Sequence, residues 1–76
     1  MKVVISKVHE LLFSGDTLSL SANTAEGRVG IFPHHEPFVT TLKPGPLVVS
    51  TPEGEKTFAV IDGVLEVSGN QATVLL

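Results

Sequence analysis

Asp16-Thr17-Leu18-Ser19-Leu20-Ser21-Ala22 is the run whose reading decides the fold class. Leu18, Leu20 and Ala22 fall on one side of it, and Thr17, Ser19 and Ser21 on the other. Successive side chains of an extended chain point to opposite faces, so this alternation predicts a strand with one face buried and one wet. Ser14-Gly15-Asp16 before it reads as a turn or bulge, and Lys2 to Val8 as an earlier strand. Asn23 to Gly27 reads as a loop, and Arg28 to Phe32 as a short strand stopped by Pro33. A loop, His34-His35-Glu36-Pro37, leads into a strand over Phe38 to Leu42, and Lys43-Pro44-Gly45-Pro46 is a strong turn signal. Leu47 to Ser50 and Lys56 to Ile61 read as a hairpin, followed by a turn at Asp62-Gly63. Val64 to Val67 and Ala72 to Leu76 read as a last hairpin. No stretch shows helical spacing without Gly or Pro intruding. About eight to ten short strands with regular turn signals predict one all-β sandwich or barrel over residues 1–76.

The bulk numbers bound the function. A chain of 76 residues makes one domain with a thin core. There is no cysteine, so disulfides and thiolate metal sites are out. The net charge is −3, and Lys2, Lys7, Arg28, Lys43 and Lys56 are scattered, which argues against a nucleic-acid partner. No signal peptide is expected, because Ser6 and Lys7 interrupt the first apolar stretch. No apolar run approaches the roughly 20 residues of a membrane helix, so direct membrane insertion is not expected. Charged residues make up only 17% of the chain, against a usual value of about 25%. A small domain has much surface to cover, so part of it is expected to be apolar and covered by a partner.

The residues that could carry chemistry are few. His34, His35 and Glu36 could contribute to a zinc site, with His9 completing the set. Adjacent residues of an extended chain diverge, however, so the spacing favours a rigid loop that meets solvent or a protein partner. A free-standing sandwich that binds a ligand or metal through this loop is the alternative reading. Glu10, Asp16, Glu26, Glu53, Glu55 and Asp62 sit at predicted turns or strand ends, where turn chemistry and solubility account for them. Glu66, between Leu65 and Val67, should face outward. Gly27-Arg28-Val29-Gly30 lacks the Lys-Ser/Thr ending and the following helix of a phosphate loop. No catalytic residue, cofactor site or metal site is expected.

Glu26-Gly27-Arg28-Val29-Gly30-Ile31-Phe32-Pro33-His34-His35-Glu36-Pro37 resembles the signature of the ATP synthase epsilon subunit, called delta in mitochondria. Phe13-Ser14-Gly15, Leu42-Lys43-Pro44-Gly45, and Gly63-Val64-Leu65-Glu66-Val67 followed by Thr73-Val74-Leu75 match the same family in the same order. The resemblance covers essentially the whole chain. It implies the family's N-terminal domain, a flattened antiparallel β-sandwich of about ten strands. It further implies a non-catalytic central-stalk subunit that packs on the gamma subunit and rests on the polar loops of the membrane rotor ring. That subunit couples ring rotation to ATP synthesis at the cytoplasmic face of the bacterial inner membrane. Arg28, His34, His35, Glu36 and Phe38 are the residues expected at a partner interface, His35 near gamma and Arg28 toward the ring. Arg28 stands where the family is often acidic. The family's two-helix C-terminal domain has no counterpart here, so inhibition and nucleotide binding are not carried over. Without gamma, an exposed apolar face could make the domain dimerise.

Overall fold

The computed structural model describes all residues 1–76. Its nine strands are β1 (Lys2–Lys7), β2 (Glu10–Asp16), β3 (Ser19–Thr24), β4 (Gly27–Ile31), β5 (Phe38–Leu42), β6 (Gly45–Thr51), β7 (Gly54–Val60), β8 (Gly63–Ser68) and β9 (Gln71–Leu75). They run as one curled sheet in the order β2-β1-β9-β8-β5-β3-β6-β7, with β4 paired to the other side of β3. The join between β5 and β3 is a single pairing, Thr24 with Leu42. The sheet therefore folds over there into two layers. One is five-stranded, β2-β1-β9-β8-β5, and the other four-stranded, β4-β3-β6-β7.

Alternation places the core between the layers. Val3, Ile5, Leu65, Val67, Ala72 and Val74 come from the five-stranded layer, and Leu20, Ala22, Ile31, Leu47 and Val49 from the four-stranded one. Burying each of the larger side chains is worth about 1.5–3 kcal/mol relative to exposure. At the rim farthest from the fold-over, Phe13 of β2 meets Phe58 of β7 edge-on at 6.2 Å. Lys56 lies over the Phe13 ring at 5.6 Å, so the two edge strands are joined by side chains alone.

The predicted strand over Phe38–Leu42 and the two C-terminal hairpins are present with these partners. Three expectations change. Ser14-Gly15-Asp16 is not a turn: it pairs with Val4, Val3 and Lys2 as the end of β2. Gly15 faces the core beside Phe13, where a Cβ would meet that ring. Leu18 is 55% exposed and Thr17 is buried, the reverse of the expected sides. The backbone N–H and hydroxyl of Thr17 both donate to the Met1 carbonyl, at 2.7 and 3.1 Å. Those bonds hold Thr17 inside, and the strand starts only at Ser19. Lastly, β1 pairs parallel with β9, so the sheet, whose nine strands fall within the expected eight to ten, is not wholly antiparallel.

Candidate functional site

The molecule offers surfaces rather than a cleft. The outer face of the five-stranded layer can be read from its register. One row across the strands runs Leu11, Ser6, Leu75, Val64 and Thr41. The next runs Ser14, Val4, Thr73, Glu66 and Val39. Leu11 and Val39 are 63% exposed and Leu75 is 52% exposed. Glu66 is the one charged residue in these two rows, and it faces outward as expected. Adjacent exposed leucine and valine with so little charge make a surface that water covers poorly.

The outer face of the four-stranded layer is built differently. It carries Ser19, Ser21 and Asn23 from β3, Val48 and Ser50 from β6, and Thr57 from β7. Arg28 of β4 pairs with Asn23 and lies across this face. Its Nη1 donates to Asn23 Oδ1 at 3.0 Å and to the Pro46 carbonyl at 2.6 Å. Its Nη2 donates to Ser21 Oγ at 3.2 Å. Asn23 Nδ2 in turn donates to the Pro44 carbonyl at 3.0 Å, and the Lys43 N–H to the Asn23 carbonyl at 2.9 Å. Gly45 lies against this node at φ 147°, where a Cβ would collide with the Asn23 amide. Glycine is thus required twice over, by backbone and by neighbour.

Beside this node, the β3–β4 turn is tied to β5. Glu26 Oε2 accepts a hydrogen bond from the Thr40 hydroxyl. The Thr24 hydroxyl donates to the Gly27 carbonyl at 2.8 Å and accepts from the Glu26 N–H at 3.1 Å. Thr24 and Thr40 are both buried, so these bonds satisfy polar groups that water cannot reach. The sequence reading assigned Glu26 only a turn and solubility. A glutamate two residues after a strand threonine was the available signal.

The expected interface residues divide between the two ends of β4. Arg28 is at its start, and His34, His35, Glu36 and Phe38 follow its end. His34 is exposed with φ 66°, a left-handed conformation costly for a side-chain-bearing residue. His35 Nδ1 donates to the Glu36 carbonyl at 2.7 Å, and its ring packs against Phe38 at a tilt of 51° with centroids 5.0 Å apart. Phe38 is half-buried and packs on the core. Glu36 is exposed. No three His, Asp or Glu side chains come together as a metal-holding group. One shallow depression, lined by Lys7, Ala59, Val60, Ile61, Asp62 and Leu76, lies where the chain ends. No helix is long and apolar enough to cross a membrane.

The chain is thus a small two-layer β domain with one apolar and one polar outer face. The chain belongs to the family of the β-sandwich domain of the ATP synthase delta/epsilon chain, whose model matches residues 1–76. The ATP synthase epsilon chain of Psychrobacter cryohalolentis is 42% identical over 72 residues, covering 93% of this chain and 52% of that protein. That of Nitrosococcus oceani is 41% identical over 76 residues, covering 99% and 54%. The chain thus spans about half the length of the curated relatives it matches. Among solved structures, a chain of the Euglena gracilis mitochondrial ATP synthase, determined with the c-ring, superposes with a TM-score of 0.87. It is 22% identical, and the match covers 96% of this chain and 48% of that one. A chain of the Tetrahymena thermophila mitochondrial ATP synthase, from its central stalk and c-ring, gives 0.82 at 18% identity, covering 97% and 60%. Those two likenesses establish the fold.

Proposed function

We propose that this domain is a non-catalytic central-stalk element of a rotary, proton-translocating ATP synthase. It links the gamma subunit to the membrane rotor ring and transmits rotation between them, so that ring turning drives ATP synthesis. It works as a peripheral part of the complex at the cytoplasmic face of the bacterial inner membrane. The observation that carries this reading is the uncovered apolar face of the five-stranded layer, with Leu11, Val39, Val64 and Leu75 exposed in two adjacent rows. In a family of central-stalk subunits, a permanent protein cover is the natural destination of such a face. We assign that cover to gamma.

The ring contact is assigned to the end of the sandwich that carries the β3–β4 and β5–β6 turns. Those turns are cross-tied through Asn23, Glu26 and Arg28, and a part that transmits torque must resist deformation. The His34-His35 loop, at the other end, is assigned to gamma. The test is capture of purified gamma subunit from the same organism by the immobilised domain. Binding at submicromolar concentration is expected, and no binding at micromolar concentration overturns the assignment.

A further inference from the structure

Arg28 holds a charge that its own surroundings leave uncompensated. The acceptors of its hydrogen bonds, Asn23 Oδ1, the Pro46 carbonyl and Ser21 Oγ, are all neutral. They orient the guanidinium and do not cancel its charge. Glu26, two residues before it, has a carboxylate oxygen already accepting from Thr40 on the other side of the turn. The rest of the face is serine, threonine, asparagine and valine with Gly30, Pro46 and Ala59. Its one acid, Glu55, pairs with Ser50 on the far edge strand, with β3 and β6 between it and Arg28.

The donor count gives the next step. A guanidinium has five N–H groups. Two on Nη1 and one on Nη2 are in use, which leaves the Nε–H and the second Nη2–H. Arg28 is exposed, so both remaining donors can meet a partner. The side chain is also already immobilised across three strands, so a partner that bonds to it need not freeze a flexible arginine. A planar, pre-oriented cation with two free donors matches an oxygen pair such as a carboxylate presents.

We propose that Arg28 is a specificity-determining contact that recognises an aspartate or glutamate carboxylate on the rotor protein covering the end of the domain at the β3–β4 turn. The proposal rests on the stalk reading above and adds the chemistry of the contact. Neutral holders and a free pair of donors give Arg28 a job in recognition beyond tying its own strands. A neighbouring rotor surface with lysine or arginine at that point would be rejected, because like charges would face each other across a neutral surface.

The test measures binding of the wild-type domain, Arg28→Gln and Arg28→Lys to a purified rotor assembly of gamma and ring from the same organism. Binding is read at low and high salt, with thermal unfolding of each isolated domain run alongside. Arg28→Gln is expected to bind about tenfold more weakly at low salt, and the wild-type advantage is expected to shrink as salt rises. Arg28→Lys is expected to lose about threefold, since it keeps the charge without the fork. A purely structural clamp would shift unfolding and leave the salt dependence of binding unchanged. Folded Arg28→Gln that binds with wild-type affinity and salt dependence overturns this proposal alone. Absence of wild-type binding overturns the stalk reading and this proposal with it.

Discussion

The outer face of the five-stranded layer presents Leu11, Val39, Val64 and Leu75, while that of the four-stranded layer presents Ser19, Ser21, Asn23, Ser50 and Thr57. Both are poor in charge. They differ in where their hydrogen bonds go. On the polar face, Asn23 and Arg28 bond to strand and turn atoms of the same domain, so that face is organised before any partner arrives. On the apolar face the side-chain bonding is a 3.4 Å contact between Gln71 and Thr73. Its stabilisation must come from outside, by removal of apolar area from water. A low share of charged residues therefore has two distinct structural meanings in one small domain. One is a surface whose polar groups bond mainly within the domain, with two Arg28 donors left over, and the other is a surface waiting for a cover.

Placing a charge on each face is the largest test of that difference. Val64→Asp combined with Leu75→Asp puts two carboxylates on neighbouring strands at the centre of the apolar face. Binding to gamma, measured by calorimetry, is expected to fall by about a hundredfold or more, because those charges would be buried without partners. Ser21→Asp on the polar face should change gamma binding by less than about threefold. Equal losses on both faces would erase the contrast.

Internal organisation of the polar face is tested next. Gly45→Ala is expected to lower stability in urea by about 2 kcal/mol, since the left-handed backbone and the Asn23 amide both oppose a Cβ. Asn23→Ala removes the shared node of the Arg28 and Pro44 bonds and should cost about 1 kcal/mol. Thr73→Ala, its counterpart on the apolar face, should stay within about 0.5 kcal/mol. In the loop that carries the chain from one layer to the other, His34→Gly should raise stability by up to about 1 kcal/mol by relieving a left-handed histidine. The smallest effect belongs to the rim between the layers. Lys56→Gln should cost about 0.5 kcal/mol through loss of its contact with the Phe13 ring.

Local pattern made much of this fold legible. Hairpins β6–β7 and β8–β9 combine apolar alternation with turn residues between them, and both signals lie within one short window. β2 was hidden because Phe13-Ser14-Gly15-Asp16 has the composition of a turn, while its strand character depends on β1 beside it. Leu18 was misplaced because a bond from Thr17 to Met1, sixteen residues away, sets the local phase. The parallel pairing of β1 with β9 has no local signature at all. At the candidate site, the motif singled out Arg28 and the His34-His35 loop. The acceptors that hold Arg28 lie five, seven and eighteen residues away, so its fixed pose could not be read from neighbours in the chain.

That parallel pairing has a consequence for how the molecule is made. β1 lies between β2 and β9, and its register runs from Lys2 against Gln71 to Ser6 against Leu75. On a ribosome, the first strand to emerge must wait for the last before the five-stranded layer can close. Until then Val3 and Ile5 have one neighbouring strand and an open edge, the arrangement most prone to pairing with another chain. Closure of the five-stranded layer is thus the last step, whereas every strand of the four-stranded layer lies before β8 in the sequence.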